Sequence, residues 1–136
     1  MSDNKYDIII IGGGAAGLSA AIGAASTSPE ARITVLEKMP RPGRKIMITG
    51  KGRCNLSNMK EWAEFSAHIH PKANFLKPSF YNMNPEKTVA MFNEAGMETV
   101  IERGDRVFPS SHIASDVVDA LVRTVSGYGI SIETGV

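Results

Sequence analysis

Four consecutive isoleucines, at positions 8 to 11, form the first marked feature of the hydrophobic pattern. An unbroken β-branched run of this length predicts a strand buried on both faces, as in the middle of a parallel sheet. Apolar residues then recur at helical spacing, at positions 18, 21, 22 and 25, and predict a helix over 15–26. The stretch 32–37 predicts a second strand, which completes a right-handed βαβ unit.

The middle of the chain carries helical patterns. Three apolar residues after position 58 share one helical face and are expected to pack into the core: Trp62, Phe65 and Ile69. A later helix is expected to begin with Asn84 as its N-cap and Pro85 at its first helical position. Gly96 is a natural end for that helix.

The last third of the chain alternates between strands and a helix. Residues 97–102 and 106–108 predict the two strands of a hairpin, with 103–105 as the turn. Ser110 or Ser111 is expected to cap a helix that continues to about residue 126. The apolar stripe of this helix is expected to be buried and contains Ile113, Val117, Val118, Leu121, Val122 and Val125. A final strand over 130–133 is expected to run parallel to the first two.

These elements predict an α/β fold of the Rossmann-like type with a parallel sheet. Residues 1–58 are expected to form the βαβ unit and a basic glycine-rich loop, and 59–96 are expected to form a helical segment. Residues 97–136 form a hairpin, a helix and a returning strand.

Composition narrows the functional classes. A length of 136 residues suits one domain, and 43% hydrophobic residues are enough for a core. The net charge of +1 argues against a surface directed at polyanions, so we expect no nucleic-acid partner. One cysteine excludes an internal disulfide. The chain shows no signal peptide and no apolar run long enough to cross a bilayer, so we expect a cytoplasmic protein without membrane contact.

Three glycines between the first strand and the first helix carry the most specific chemistry. Gly12 permits a tight turn, Gly14 lets a pyrophosphate approach the backbone, and Gly17 lets the helix pack close to the strand. A pyrophosphate is expected at the helix N-terminus beside Ala15 and Ala16, where free N–H groups and the helix dipole favour anions.

Glu37 ends the second strand, twenty residues past the last glycine of the motif. A carboxylate at this position can accept hydrogen bonds from both hydroxyls of an adenosine ribose and would repel a 2′-phosphate. The bound nucleotide is therefore expected to be FAD or NAD rather than NADP.

Residues 38–60 contain seven lysines and arginines and no acidic residue. Prolines and glycines make this segment a shaped loop rather than a regular helix. It could form a basic patch for nucleic acid, or it could wrap the phosphates and ribityl chain of a dinucleotide. The net charge and the scarcity of interleaved aromatics favour the dinucleotide.

Several motifs together resemble the BaiN-like NAD(P)/FAD-dependent oxidoreductases. The resemblance rests on five stretches: 12–21, 35–38, 42–45, 49–58 and 106–111. The Gly-Arg-Cys-Asn sequence within 49–58 is far more specific than the glycine loop. Two departures from the family pattern are visible, Lys51 in place of glycine and Ser57 in place of threonine.

The resemblance implies an FAD-dependent oxidoreductase, with NAD(P)H as the expected reductant and a small-molecule substrate. FAD would be held through its ADP half by the glycine loop and Glu37. Three residues would flank the phosphates or the adenosine: Lys38, Arg44 and Lys45. Four would approach the flavin side: Gly52, Arg53, Cys54 and Asn55. In related folds the backbone after the last strand touches the adenine, so Val136 is a candidate contact.

Members of the family are several-fold longer. The resemblance therefore implies that residues 1–136 are the N-terminal part of an FAD-binding Rossmann-like domain with an incomplete parallel sheet, and that a C-terminal part of the same protein completes the flavin site. An open sheet edge is expected to promote self-association.

No residue is a convincing general acid or base, so the catalytic residues stay unassigned. Cys54 has no partner cysteine, and the pair His68 and His70 lacks further metal ligands, so no metal site is expected. Two other functions remain open at this point. One is an NAD-dependent dehydrogenase built on the same βαβ unit, and the other is a non-catalytic nucleotide- or RNA-binding module.

Overall fold

The computed structural model describes residues 5–136. The described chain contains two three-stranded sheets, six α-helices and two short 3₁₀ turns. The strands are β1 (Ile8–Ile11), β2 (Ile33–Glu37), β3 (Ser57–Asn58), β4 (Thr99–Glu102), β5 (Arg106–Pro109) and β6 (Ser131–Thr134). The helices are α1 (Ala15–Thr27), α2 (Arg44–Ile48), α3 (Trp62–Ser66), α4 (Lys77–Asn82), α5 (Pro85–Glu94) and α6 (Ala114–Gly127).

The first sheet has the strand order β1-β2-β6, and both pairings are parallel. Ile8 lies opposite Ile33, and Thr34 lies opposite Ser131. Helix α1 connects β1 to β2 and helix α6 precedes β6, so the predicted βαβ unit and the returning parallel strand are both confirmed. This arrangement is a Rossmann-type α/β fold.

The prediction that β1 is buried on both faces was wrong. Ile8 and Ile10 pack against the core, whereas Ile9 is 55% exposed and Ile11 is 79% exposed. The reason is the position of β1, which is an edge strand of the described sheet and has α1 packed against one of its faces. An isoleucine run alone does not distinguish this arrangement from a fully covered strand.

The core lies between this sheet and helices α1 and α6. Leu18 and Ala21 of α1 and Val35 of β2 are inaccessible to solvent. The predicted stripe of α6 is buried or half-buried with one exception, because Ile113 precedes the helix and is 52% exposed. The helix begins at Ala114, and the Ser111 hydroxyl accepts a hydrogen bond from the Ile113 N–H while donating to Asp116. The predicted serine cap therefore forms ahead of the helix rather than at its first turn.

The second sheet is antiparallel, with the order β3-β5-β4. Residues 103–105 form the turn of the β4–β5 hairpin, as predicted. Val107 and Phe108 are almost fully buried, so β5, the middle strand of this small sheet, packs against the rest of the protein.

The helical segment differs in part from its prediction. Trp62 and Phe65 are half-buried and do not join the main core. They form instead an aromatic cluster with Phe80 and Tyr81, with ring centroids 5.0–6.3 Å apart. The N-cap of α5 is confirmed, because the Asn84 side chain accepts a hydrogen bond from the Lys87 N–H at 2.9 Å.

Candidate functional site

A cavity of about 740 Å³ opens at the carboxyl end of β1 and β2. It is bounded by the glycine loop, the end of β2, helix α2, the loop that follows α2, and the facing sides of α5 and α6. Its volume falls within the range of small-molecule and cofactor sites, and its position is where parallel α/β sheets bind ligands.

The glycine loop has the geometry that its spacing predicts. Gly12 adopts a φ of +99°, a conformation that side chains disfavour, and turns the chain out of β1. A Cβ on Gly17 would lie 1.8 Å from the carbonyl oxygen of Gly12, so only glycine lets α1 pack this close to β1. A Cβ on Gly14 would meet no atom within 4 Å, and Gly14 itself lines the cavity.

The N-terminus of α1 is directed at the cavity. Gly14 is its N-cap, no side chain caps the first turn, and the first turn contains no acidic residue. Ala15 and Ala16 also line the cavity. Because the first N–H groups of a helix have no partners within the helix, this end can bind an anion.

Glu37 joins the end of β2 to the glycine loop. Its Oε2 accepts a hydrogen bond from the Gly13 N–H at 2.7 Å, and its Oε1 accepts one from the Met39 N–H at 2.8 Å. The N–H groups of Met39 and Gly13 hold the pKa of this carboxyl below its ordinary value. An ionised carboxylate has about four acceptor positions, so Glu37 retains capacity for two further donors on the cavity side.

Four cationic side chains line the cavity: Lys38, Arg41, Arg44 and Lys45. Arg41 is paired with Asp119 at 2.9 Å, and sequence reasoning had not selected it. Part of the basic segment is helical, contrary to the prediction of a loop without regular helix. Gly43, with a φ of +74°, provides the turn that starts α2. The helix has five residues and is flanked by prolines and glycines, so the sequence pattern did not predict it.

The loop after α2 brings two predicted residues to the cavity wall, Cys54 and Asn55. Cys54 is buried, and burial raises the pKa of its thiol. Gly52 and Arg53 do not line the cavity. The Arg53 guanidinium is turned toward the second sheet, where it contacts Glu102 and Phe108.

Three other predicted residues lie outside the cavity lining. Gly12 turns the chain out of β1 and Gly17 lies in α1 against it, so both determine the shape of the glycine loop without lining the cavity. Val136 is 63% exposed, and its N–H donates to the carbonyl of Glu37 at 3.4 Å, which ties the end of the described chain to β2.

Sequence reasoning did not identify the apolar wall of the cavity. The wall is formed by residues of α5 and α6, by the residue before Asn84, and by the loop after α2: Met83, Met91, Phe92, Val117, Leu121 and Leu56. The apolar periodicity of the two helices had indicated packing in the core alone. In the structure, α5 and α6 face each other beside the glycine loop, and this pairing of distant helices makes their apolar residues a cavity wall.

His68 and His70 are exposed. Among residues 5–136, no group of three histidine, cysteine or acidic side chains could hold a metal ion. None of the helices in the described part of the chain has the length and apolarity needed to cross a membrane.

Solved structures share the fold at low sequence identity. Escherichia coli quinol fumarate reductase FrdA matches 93% of this chain over 25% of its own, with a TM-score of 0.68 and 18% identity. THI4 of Thermovibrio ammonificans matches 96% of this chain over 38% of its own, with a TM-score of 0.58 and 15% identity.

Two curated proteins are related in sequence. A 3-dehydro-bile acid delta(4,6)-reductase of Clostridium scindens is 35% identical over 127 residues, which span 93% of this chain and 30% of that protein. A ribosomal RNA dihydrouridine synthase of Escherichia coli is 31% identical over 120 residues, 87% of this chain and 28% of that protein. The chain thus spans under a third of the length of these relatives. The family model described as the HI0933-like protein Rossmann domain matches residues 6–136, and the chain belongs to that family.

Proposed function

We propose that this chain forms the FAD-binding portion of a flavin-dependent oxidoreductase. One observation carries the proposal. An uncapped helix N-terminus, an ionised Glu37 and a set of cationic side chains all border the same cavity. These are the groups that the pyrophosphate and the ribose of a dinucleotide require.

The donor set fits the ADP half of FAD. The N–H groups at Gly14, Ala15 and Ala16 would bind the pyrophosphate, and the free lone pairs of Glu37 would accept the ribose hydroxyls. Lys38, Arg44 and Lys45 would balance the phosphate charge, and Val136 is proposed as a backbone contact to the adenine. The carboxylate of Glu37 would repel a 2′-phosphate, which disfavours NADP at this position.

Cys54 and Asn55 lie further along the cavity wall and are proposed to face the flavin half. When bound, FAD supplies hydride transfer through its isoalloxazine ring. The residues described here orient the cofactor and exclude water from one side of it. They include no group to which we assign a proton-transfer role.

The relatives support a reductive reaction. One of them is named as a reductase and the other as a dihydrouridine synthase. We propose NAD(P)H as the reductant and a small molecule as the substrate, on the model of the Clostridium scindens relative, whose name gives a bile acid as its substrate; the Escherichia coli relative is named instead for ribosomal RNA. The relatives are more than three times as long as the matched region, so the substrate site is proposed to lie in a further part of the protein.

Titration of the chain with FAD, followed by flavin fluorescence, tests the proposal. FAD should bind, ADP should displace it, and FMN, which lacks the AMP moiety and so has neither the adenosine ribose nor a pyrophosphate, should bind far more weakly. Glu37→Ala should weaken FAD binding by about tenfold or more, because it removes two charge-assisted hydrogen bonds to the ribose. Glu30→Ala, at an exposed glutamate beyond α1, is the control and should bind FAD normally.

Two results would contradict the proposal in different ways. Binding of NAD with no binding of FAD would favour a dehydrogenase. Salt-dependent binding of RNA with no binding of either nucleotide would favour a nucleic-acid module.

A further inference from the structure

The loop between α2 and β3 is held in a strained conformation. Two residues of this loop that carry side chains, Lys51 and Cys54, have φ angles of +56° and +58°. A side chain disfavours this left-handed backbone, and it persists only where surrounding contacts fix it. The loop nevertheless places Cys54 and Asn55 on the cavity wall.

Arg53 lies within this loop and contacts the second sheet instead of the cavity. Its Nη1 lies 3.1 Å and 3.3 Å from the two carboxylate oxygens of Glu102 on β4. Its guanidinium carbon lies 4.3 Å from the ring centroid of Phe108 on β5. Phe108 is 1% exposed, so the surface against which Arg53 stacks is part of a packed strand.

The carboxylate of Glu102 has a second neighbour. The imidazole Nδ1 of His112 lies 3.5 Å from its Oε1. The carboxylate is therefore shared between Arg53 and a residue that follows the hairpin. A carboxylate in direct contact with a guanidinium also competes with any phosphate for that guanidinium.

We infer that Arg53 is a positioning residue, which anchors the loop to Glu102 and Phe108 so that Cys54 and Asn55 face the cavity. It is not a ligand of the cofactor phosphates. The part of this inference that concerns FAD rests on the proposed function, whereas the part that concerns the loop does not.

Cys54 provides a direct test, because it is the single cysteine of the chain and is 5% exposed. A thiol reagent such as 5,5′-dithiobis(2-nitrobenzoate) reacts with it only when the loop opens. Arg53→Met, which keeps an unbranched apolar stem and removes the guanidinium and its charge, should raise the labelling rate about fivefold. Glu102→Gln should also raise the labelling rate of Cys54.

Arg106→Met is the matched control. The Arg106 guanidinium carbon lies 5.9 Å from the same ring, and its Nε donates to the carbonyl of Arg103. Its replacement should leave the labelling rate of Cys54 unchanged. Thermal unfolding of each variant identifies any general loss of stability. Equal labelling of wild type and Arg53→Met would overturn the inference.

FAD affinity separates positioning from direct binding. If Arg53 were a phosphate ligand, Glu102→Gln would free it and would preserve or improve FAD affinity. If Arg53 positions the loop, Glu102→Gln and Arg53→Met should each weaken FAD binding about fivefold, and the double variant should be no weaker than either one. A wild-type chain that binds no FAD would reject the proposed function, and the labelling of Cys54 would still decide the role of Arg53.

Discussion

The carboxylate of Glu37 accepts a 2.7 Å hydrogen bond from the backbone N–H of Gly13, which lies twenty-four residues earlier in the chain. This contact joins the end of one parallel strand to the glycine loop that follows its neighbour. The same carboxylate accepts from the Met39 N–H at 2.8 Å. The spacing of the motif predicted that Glu37 binds the ribose, and the structure shows that Glu37 also holds the glycine loop in place.

The first prediction concerns pH. The N–H groups of Met39 and Gly13 lower the pKa of Glu37 from its ordinary value of 4.5 in the folded chain. Its contribution to the free energy of unfolding is therefore complete above pH 4.5 and is lost as the pH falls from there through the lowered pKa. Urea unfolding from about pH 3 to about pH 7 should show a shallower acid decline for Glu37→Gln than for wild type. Parallel profiles of the two proteins would contradict this assignment.

The second prediction compares two glycines of the same helix. Gly17→Ala should lower the free energy of unfolding by about 1–3 kcal/mol, because the new methyl group would collide with the backbone carbonyl of Gly12. Gly23→Ala meets no atom within 4 Å and should raise it by about 0.5–1 kcal/mol through better helix propensity. Chemical denaturation of both variants measures the difference. Equal effects would mean that α1 does not depend on close approach to β1.

The third prediction concerns Lys51, which has a φ of +56° at a position where the resemblance to the BaiN-like family leads us to expect glycine. A lysine in this conformation costs about 1–2 kcal/mol, while glycine adds about 0.4–1 kcal/mol of unfolded-state entropy. Lys51→Gly should therefore stabilise the chain by up to about 1 kcal/mol. Lys45→Gly, within α2, should destabilise it by about 1 kcal/mol. The thermal unfolding midpoints should move in opposite directions.

The fourth prediction concerns self-association through the edge of the first sheet. Ile9 and Ile11 expose apolar side chains on β1, and an open apolar edge strand is a site for pairing between chains. Sedimentation velocity should show concentration-dependent association of the wild-type chain, which Ile11→Lys should reduce. Ile113→Lys is the control, because Ile113 is also about half exposed but lies outside both sheets. A wild-type chain that stays monomeric at high concentration would refute this prediction.

The sequence predicted the parts of the molecule whose structure is decided locally. The glycine loop, the position of Glu37 and the Asn84 cap each depend on residues within one turn or one βαβ unit. The burial of β1 could not be obtained this way, since it depends on which elements cover each face of the sheet. Ile113 matched the helical period, but the local bonding of Ser111 delays the start of the helix.

The contacts of Arg53 with Glu102 and Phe108 could not be predicted from the sequence either. Glu102 lies forty-nine residues further along, and the family resemblance had implied a position on the flavin side for the arginine. Only the antiparallel pairing of β3 with β5 brings the loop against the hairpin. The apolar wall of the cavity was missed for the same reason, since two helices distant in sequence form it together.

The contact between Gly17 and Gly12 has a consequence for protein engineering. Main-chain atoms, rather than side chains, determine how far α1 stands from β1. Repacking the interior with smaller aliphatic residues would therefore not bring the helix closer to the strand. The backbone sets the position of the α1 N-terminus on one side of the cavity, and new ligand specificity must be designed into the other walls.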